Sequence, residues 1–99
     1  MANFGKRMVK ERKIKRMIGK VTNVTNITAL TNDILNALKP GDMVIKKTGN
    51  MEHTYIVTYK EEKHGICISY FNAGYSETVS YDYIDGNWVY NSTDVWSAE

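Results

Sequence analysis

HGICISYFNAGYSETVSYDYIDGNWVYNS, residues 64–92, alternates apolar or aromatic residues with small polar ones and is cut twice by glycine-bearing turns. Alternation of period two places successive side chains on opposite faces of an extended chain, so these residues read as strands joined by hairpins. Asp85-Gly86 is the sharpest signal, because a two-residue hairpin of the primed type needs positive φ at both central positions. In YSETVSYDYI (75–84), Tyr75, Glu77, Val79, Tyr81 and Tyr83 share one face. Thr78, Ser80 and Asp82 take the other, with Ile84 ending that series.

Upstream, DMVIKK (42–47) and HTYIVTYK (53–60) continue the texture, giving five runs rich in Val, Ile, Thr, Tyr and Trp with GICISYF (65–71) and NWVYNS (87–92). The connections TGNM, EEKH, NAG and DG are too short for anything but antiparallel neighbours, which predicts a five-stranded meander. Both faces are partly apolar: Tyr55, Val57 and Tyr59 stand against Ile56, and Ile66 and Ile68 against Cys67 and Phe71. Such a sheet must either close into a small barrel or bury its second face against another chain.

Before the strands, NVTNITALTNDILNALKPGD (23–42) reads as the approach to a helix, the helix and its stop. Thr28 or Thr31 serves as N-cap, Asp33 suits the first turn, and Leu30, Ile34 and Leu38 form an apolar stripe that Ile27 and Leu35 widen. Pro40-Gly41 ends it, which predicts a helix over about residues 29–39. The expected fold is therefore α+β: a short helix packed on a five-stranded antiparallel meander or small barrel.

Charge divides the 99-residue chain into a basic arm, 1–20, and a body, 21–99. Lys6, Arg7, Lys10, Arg12, Lys13, Lys15, Arg16 and Lys20 against Glu11 give the arm +7, while five lysines against ten carboxylates give the body −5. No lysine or arginine follows Lys63. Read as a helix, the arm splits its apolar residues between one stripe, Phe4 and Met8, and another, Ile14, Met17 and Ile18. That is too broken for a membrane-surface helix and suits a segment shaped by what it binds. Phosphate would be one partner for such an arm, each contact steepening the salt dependence. The acidic body argues instead for an acidic protein neighbour, because its carboxylates would repel a nucleic-acid strand from the tyrosines that could stack on it. A third reading makes the acidic, tyrosine-rich body an inhibitor of a nucleic-acid enzyme.

The residues available for catalysis are few. His64 and Cys67 are expected on opposite sides of a strand entry, and His53, His64 and Cys67 lack the paired spacing of a structural zinc site. Phosphate-binding glycine loops and nucleophile-elbow or HExxH motifs do not occur, so no enzymatic activity, cofactor or metal is expected. One cysteine forms no intrachain disulfide, and no apolar run suits a signal peptide or a membrane span. A chain made and kept in a cytosol, or in something assembled there, is expected.

KPGDMVIKKTGNMEHTYIVTYKEEKHGICISYF (39–71), followed by ETVSYDYIDGNWVYNSTD (77–94), resembles small virion proteins of crAss-like and related gut phages. These are the auxiliary capsid (head-decoration) and head-fibre proteins. The resemblance covers about residues 39–94 and brings no catalytic residues. It implies a non-enzymatic structural protein present in many copies on the major capsid protein lattice of a virion assembled in a bacterial host. The arm would then be the docking element: its basic residues would orient the encounter, and Phe4, Met8, Ile14 and Met17 would anchor it.

Overall fold

The computed structural model describes residues 19–98. Six strands form one sheet in sequence order: β1 (Val21–Val24), β2 (Met43–Thr48), β3 (Met51–Glu61), β4 (Gly65–Asn72), β5 (Tyr75–Ile84) and β6 (Asn87–Ser97). One helix, α1 (Asn32–Ala37), lies between β1 and β2. The five expected strands are present as an antiparallel meander from β2 to β6. The sixth, β1, runs parallel to β2, Val21 opposite Met43 and Val24 opposite Lys46. The crossover that parallel pairing needs is supplied by the loop and α1 between them. β1 and β6 are the two edges and do not pair, so the barrel is not closed and the sheet stays open.

The turns follow their local chemistry. Asp85 and Gly86 have φ of 50° and 83°, the two positive values that a tight primed hairpin requires. Thr31 caps α1, its hydroxyl accepting from the Ile34 N–H at 3.3 Å. Thr28 is taken by an Asx turn, its N–H and hydroxyl both donating to the Asn26 side-chain oxygen. The helix is shorter than its apolar stripe predicts. Leu38 already has extended geometry (ψ 143°) two residues before Pro40, and Ile27 and Leu30 reach the core from the loop.

Leu35 of α1 and Leu38 at its C-cap pack with Val44, Tyr55, Val57, Ile66, Ile68, Val79, Tyr81 and Trp88 on one face of the sheet, forming the core. Two β-bulges rotate the strands. Between Val57 and Tyr59 the register of β3 slips at Thr58, and between Ser80 and Tyr81 the partner strand β6 carries the extra residue Asn91. The first bulge overturns the expected grouping of Tyr59 with Tyr55 and Val57. Tyr59 turns to the open face opposite Cys67, and Lys60 turns inward until its side chain is only 2% exposed. Among the described residues no helix is long and apolar enough to cross a membrane.

Candidate functional site: the open sheet face

α1 and the loop before it cover part of one face of the sheet, and among the described residues no element covers the other. On that open face the register sets out rows across the strands. Phe71, Ser76 and Trp96 form one, and Ile56, Ser69, Thr78 and Asp94 the next. Tyr59, Cys67, Ser80 and Ser92 form a third, and Gly65, Asp82 and Val89 a fourth. Phe71 is 63% exposed, Trp96 60% and Tyr59 47%, with Ile56, Ile84 and Val89 also exposed. Between these apolar groups the rows carry hydroxyls that bond to one another: Ser69 Oγ lies 3.2 Å from Thr58 Oγ1 and 3.0 Å from Thr78 Oγ1. The charged groups here on β3–β6 are acidic, Asp82 and Asp94 with Glu61 at the margin, where Tyr59 O–H donates to it at 2.7 Å. Lys47 and Glu52 at the far corner neutralise each other at 3.2 Å.

A shallow depression of about 310 Å³ opens on this face, lined by Tyr59, His64, Cys67, Ser80, Asp82 and Asn91 among others. It brings His64 and Cys67 to one rim, where opposite sides of the sheet were expected, because His64 sits in the β3–β4 turn and not in β4. The imidazole is held by its own turn: Nδ1 is 2.9 Å from the Glu62 carbonyl and 3.7 Å from the Glu61 carboxylate. Cys67 Sγ lies 3.6 Å from Ser80 Oγ, and Asp82 accepts from the Asn91 side-chain amide at 2.8 Å. His53 is on the covered face against Tyr70, so His53, His64 and Cys67 are not brought together. Among the described residues no three His, Cys, Asp or Glu converge on a metal position.

On the covered face, beyond α1, Glu77 accepts from Tyr55 O–H at 2.7 Å and Tyr75 O–H at 3.0 Å, and the Tyr70 ring packs against Tyr55, Tyr75 and His53. Burial, and then the Glu77 carboxylate, push the Tyr55 phenol far above its usual value. The bond to Glu77 raises Tyr75, the bond to Glu61 raises Tyr59, and burial raises Tyr81. A phenol that ionises later folded than unfolded stabilises the fold fully below the unfolded value near 10, and that contribution is lost as pH rises through the folded value. The expected outcome is a late-ionising fraction among the seven tyrosines in an ultraviolet titration, and a fall in unfolding free energy above about pH 10. The absence of any late-ionising tyrosine in the folded chain would contradict the burial of Tyr55 and its bond to Glu77.

Of the arm residues, Phe4, Lys6, Arg7, Met8, Lys10, Arg12, Lys13, Ile14, Lys15, Arg16 and Met17 lie outside the described residues. Lys20 is described, and its backbone belongs to the body: its N–H donates to Asp42 Oδ1 at 2.9 Å and its carbonyl accepts from Met43 N–H at 2.8 Å. The other Asp42 oxygen accepts from Lys39 N–H at 2.9 Å, so one buried carboxylate ties the start of β1 to the start of β2. Gly19 has φ 74°, and a Cβ there would come within 2.6 Å of the Gly41 carbonyl. Only glycine fits where the arm meets the body. The open face, by contrast, was legible as a partly apolar second face, but not as an acidic one, since its carboxylates gather only through the register.

Comparison with protein-family models, with curated proteins and with solved structures finds no match to this chain.

Proposed function

We propose that the chain is a non-catalytic virion structural protein, an auxiliary capsid or head-decoration protein, that docks on the shell of a phage head through its basic arm. The observation that supports this best is the single-layer sheet, whose open face exposes six large apolar side chains, Ile56, Tyr59, Phe71, Ile84, Val89 and Trp96, under no element of the described residues. Monomeric proteins rarely leave such a surface uncovered, and assembly is its ordinary use. The charge separation adds direction: an arm of +7 seeks an acidic protein surface, and a body of −5 discourages a nucleic-acid strand from following the arm onto the sheet. Repeated over a lattice, individually weak charged contacts add up to firm attachment.

The test compares the full chain with a full-length variant in which Lys10, Arg12, Lys13, Lys15 and Arg16 are glutamine. Both are titrated with empty capsids and with duplex DNA over a range of salt. The intact chain is expected to bind capsids, with the variant at least tenfold weaker, and neither to hold DNA at physiological salt. Tight DNA binding by the intact chain, lost in the variant, would transfer the arm to phosphate and overturn the reading.

A further inference from the structure

The geometry points to a specific acidic neighbour for the arm: the open sheet face of a second copy of this chain. This inference rests on the assembly reading above and gives the arm a contact between neighbouring copies besides the one with the shell. Two chemistries match. The arm interleaves cations with Met8, Ile14, Met17 and Ile18. The open face sets Asp82 and Asp94 among exposed Trp96, Phe71 and Tyr59, with no lysine or arginine anywhere on β4, β5 or β6. Carboxylates beside bare aromatic faces receive lysine and arginine doubly, by ion pairing and by cation–π contact, while the apolar residues between them cover indole and phenyl rings.

Placement suits a head-to-tail arrangement of copies. Gly19 and Lys20 are pinned to Gly41 and Asp42 at the β1–β2 side of the sheet, whereas Asp82, Asp94 and Trp96 lie on β5 and β6 at the opposite edge. Five strand spacings separate the two edges, about 24 Å. Donor segment and receiving surface on opposite edges of one molecule make a heterologous, head-to-tail contact, which repeats from copy to copy. Eighteen residues of extended chain reach up to about 60 Å, enough to cross an intermolecular gap and lie along a neighbour's β5 and β6.

The test uses two full-length variants and sedimentation velocity over a concentration series at about 50 mM and about 500 mM salt. The arm variant carries the five glutamines described above and keeps the face. The face variant, Asp94→Lys with Trp96→Ala, changes two exposed side chains and keeps the arm. Wild type is expected to self-associate at low salt and to dissociate at high salt, and each variant alone to self-associate at least tenfold more weakly. Mixing the two variants should restore a one-to-one complex, since one supplies an intact arm and the other an intact face. A wild type that stays monomeric at every concentration, as it would if each arm lay on its own sheet, overturns the proposal, and so does a mixture that forms no complex. The face variant retains its arm, so its binding to empty capsids reports separately on the assembly reading.

Discussion

Lys60→Ala is expected to lower the unfolding free energy by about 3 kcal/mol, read from urea denaturation followed by circular dichroism. The Lys60 ammonium donates to the carbonyls of Leu35, Asn36 and Leu38 at 2.9, 3.0 and 2.7 Å, so all three of its N–H groups are used at the end of α1. These are carbonyls that a helix leaves without intrahelical partners, and a cation there also meets the negative end of the helix dipole. α1 has no basic residue in its own last turn, so the charge arrives from the sheet. The helix is six residues long and would not persist by itself. Removing the ammonium leaves part-buried carbonyls unpaired in the layer that holds Leu35 and Leu38 over the core. Lys60→Met separates the two contributions of the side chain, because it keeps the stem beside Trp88, over which Nζ lies at 5.8 Å. It is expected to lose nearly as much stability as the alanine variant. A methionine variant as stable as wild type would show that the stem, and not the three bonds, holds the helix.

Tyr81→Phe is expected to cost about 2 kcal/mol and to act first on the loop before α1. The buried Tyr81 hydroxyl donates to the Ile27 carbonyl at 2.7 Å and accepts from the Leu30 N–H at 3.0 Å. A phenylalanine keeps the ring, and with it the edge contact to Tyr90, but leaves both backbone groups buried without a partner. Hydrogen exchange at the Leu30 amide should accelerate more than exchange at amides in the middle of β4, an interior strand paired on both sides by β3 and β5. Uniform acceleration across the sheet would contradict this local role.

Much of this architecture was legible in the residues because it rests on local chemistry. The β4–β5 and β5–β6 hairpins follow from alternation and from the φ requirement that Asp85-Gly86 meets. The inward face of β5 from Tyr75 to Tyr83 follows from period two alone. Threonine was expected at the helix N-cap, with two candidates left open. The choice of Thr31 over Thr28 was decided by Asn26, which engages Thr28 two residues on. β6 runs on to Ser97, past the expected Ser92, because Thr93, Asp94, Val95 and Trp96 keep the alternation in register with Ser76–Val79.

What the residues did not disclose is non-local. Val21–Val24 is four residues of mixed polarity that become a strand only because the crossover returns the chain beside the free edge of β2. No local signal separates that from the approach to a helix. The bulge at Thr58 is equally silent, yet it decides that Tyr59 faces outward and that Lys60 caps α1, because one inserted residue reverses every later side chain on the strand. The second, partly apolar face was readable in the sequence, but whether it closed into a barrel or stayed open was not. That depended on β1 taking the edge of β2 and leaving β6 unpaired at the far side. The segregation of charge into a basic arm and an acidic body was fixed by residue order alone. The gathering of Asp82, Asp94, Tyr59, Phe71 and Trp96 onto one uncovered surface was decided by strand register, which exists only once the sheet has formed.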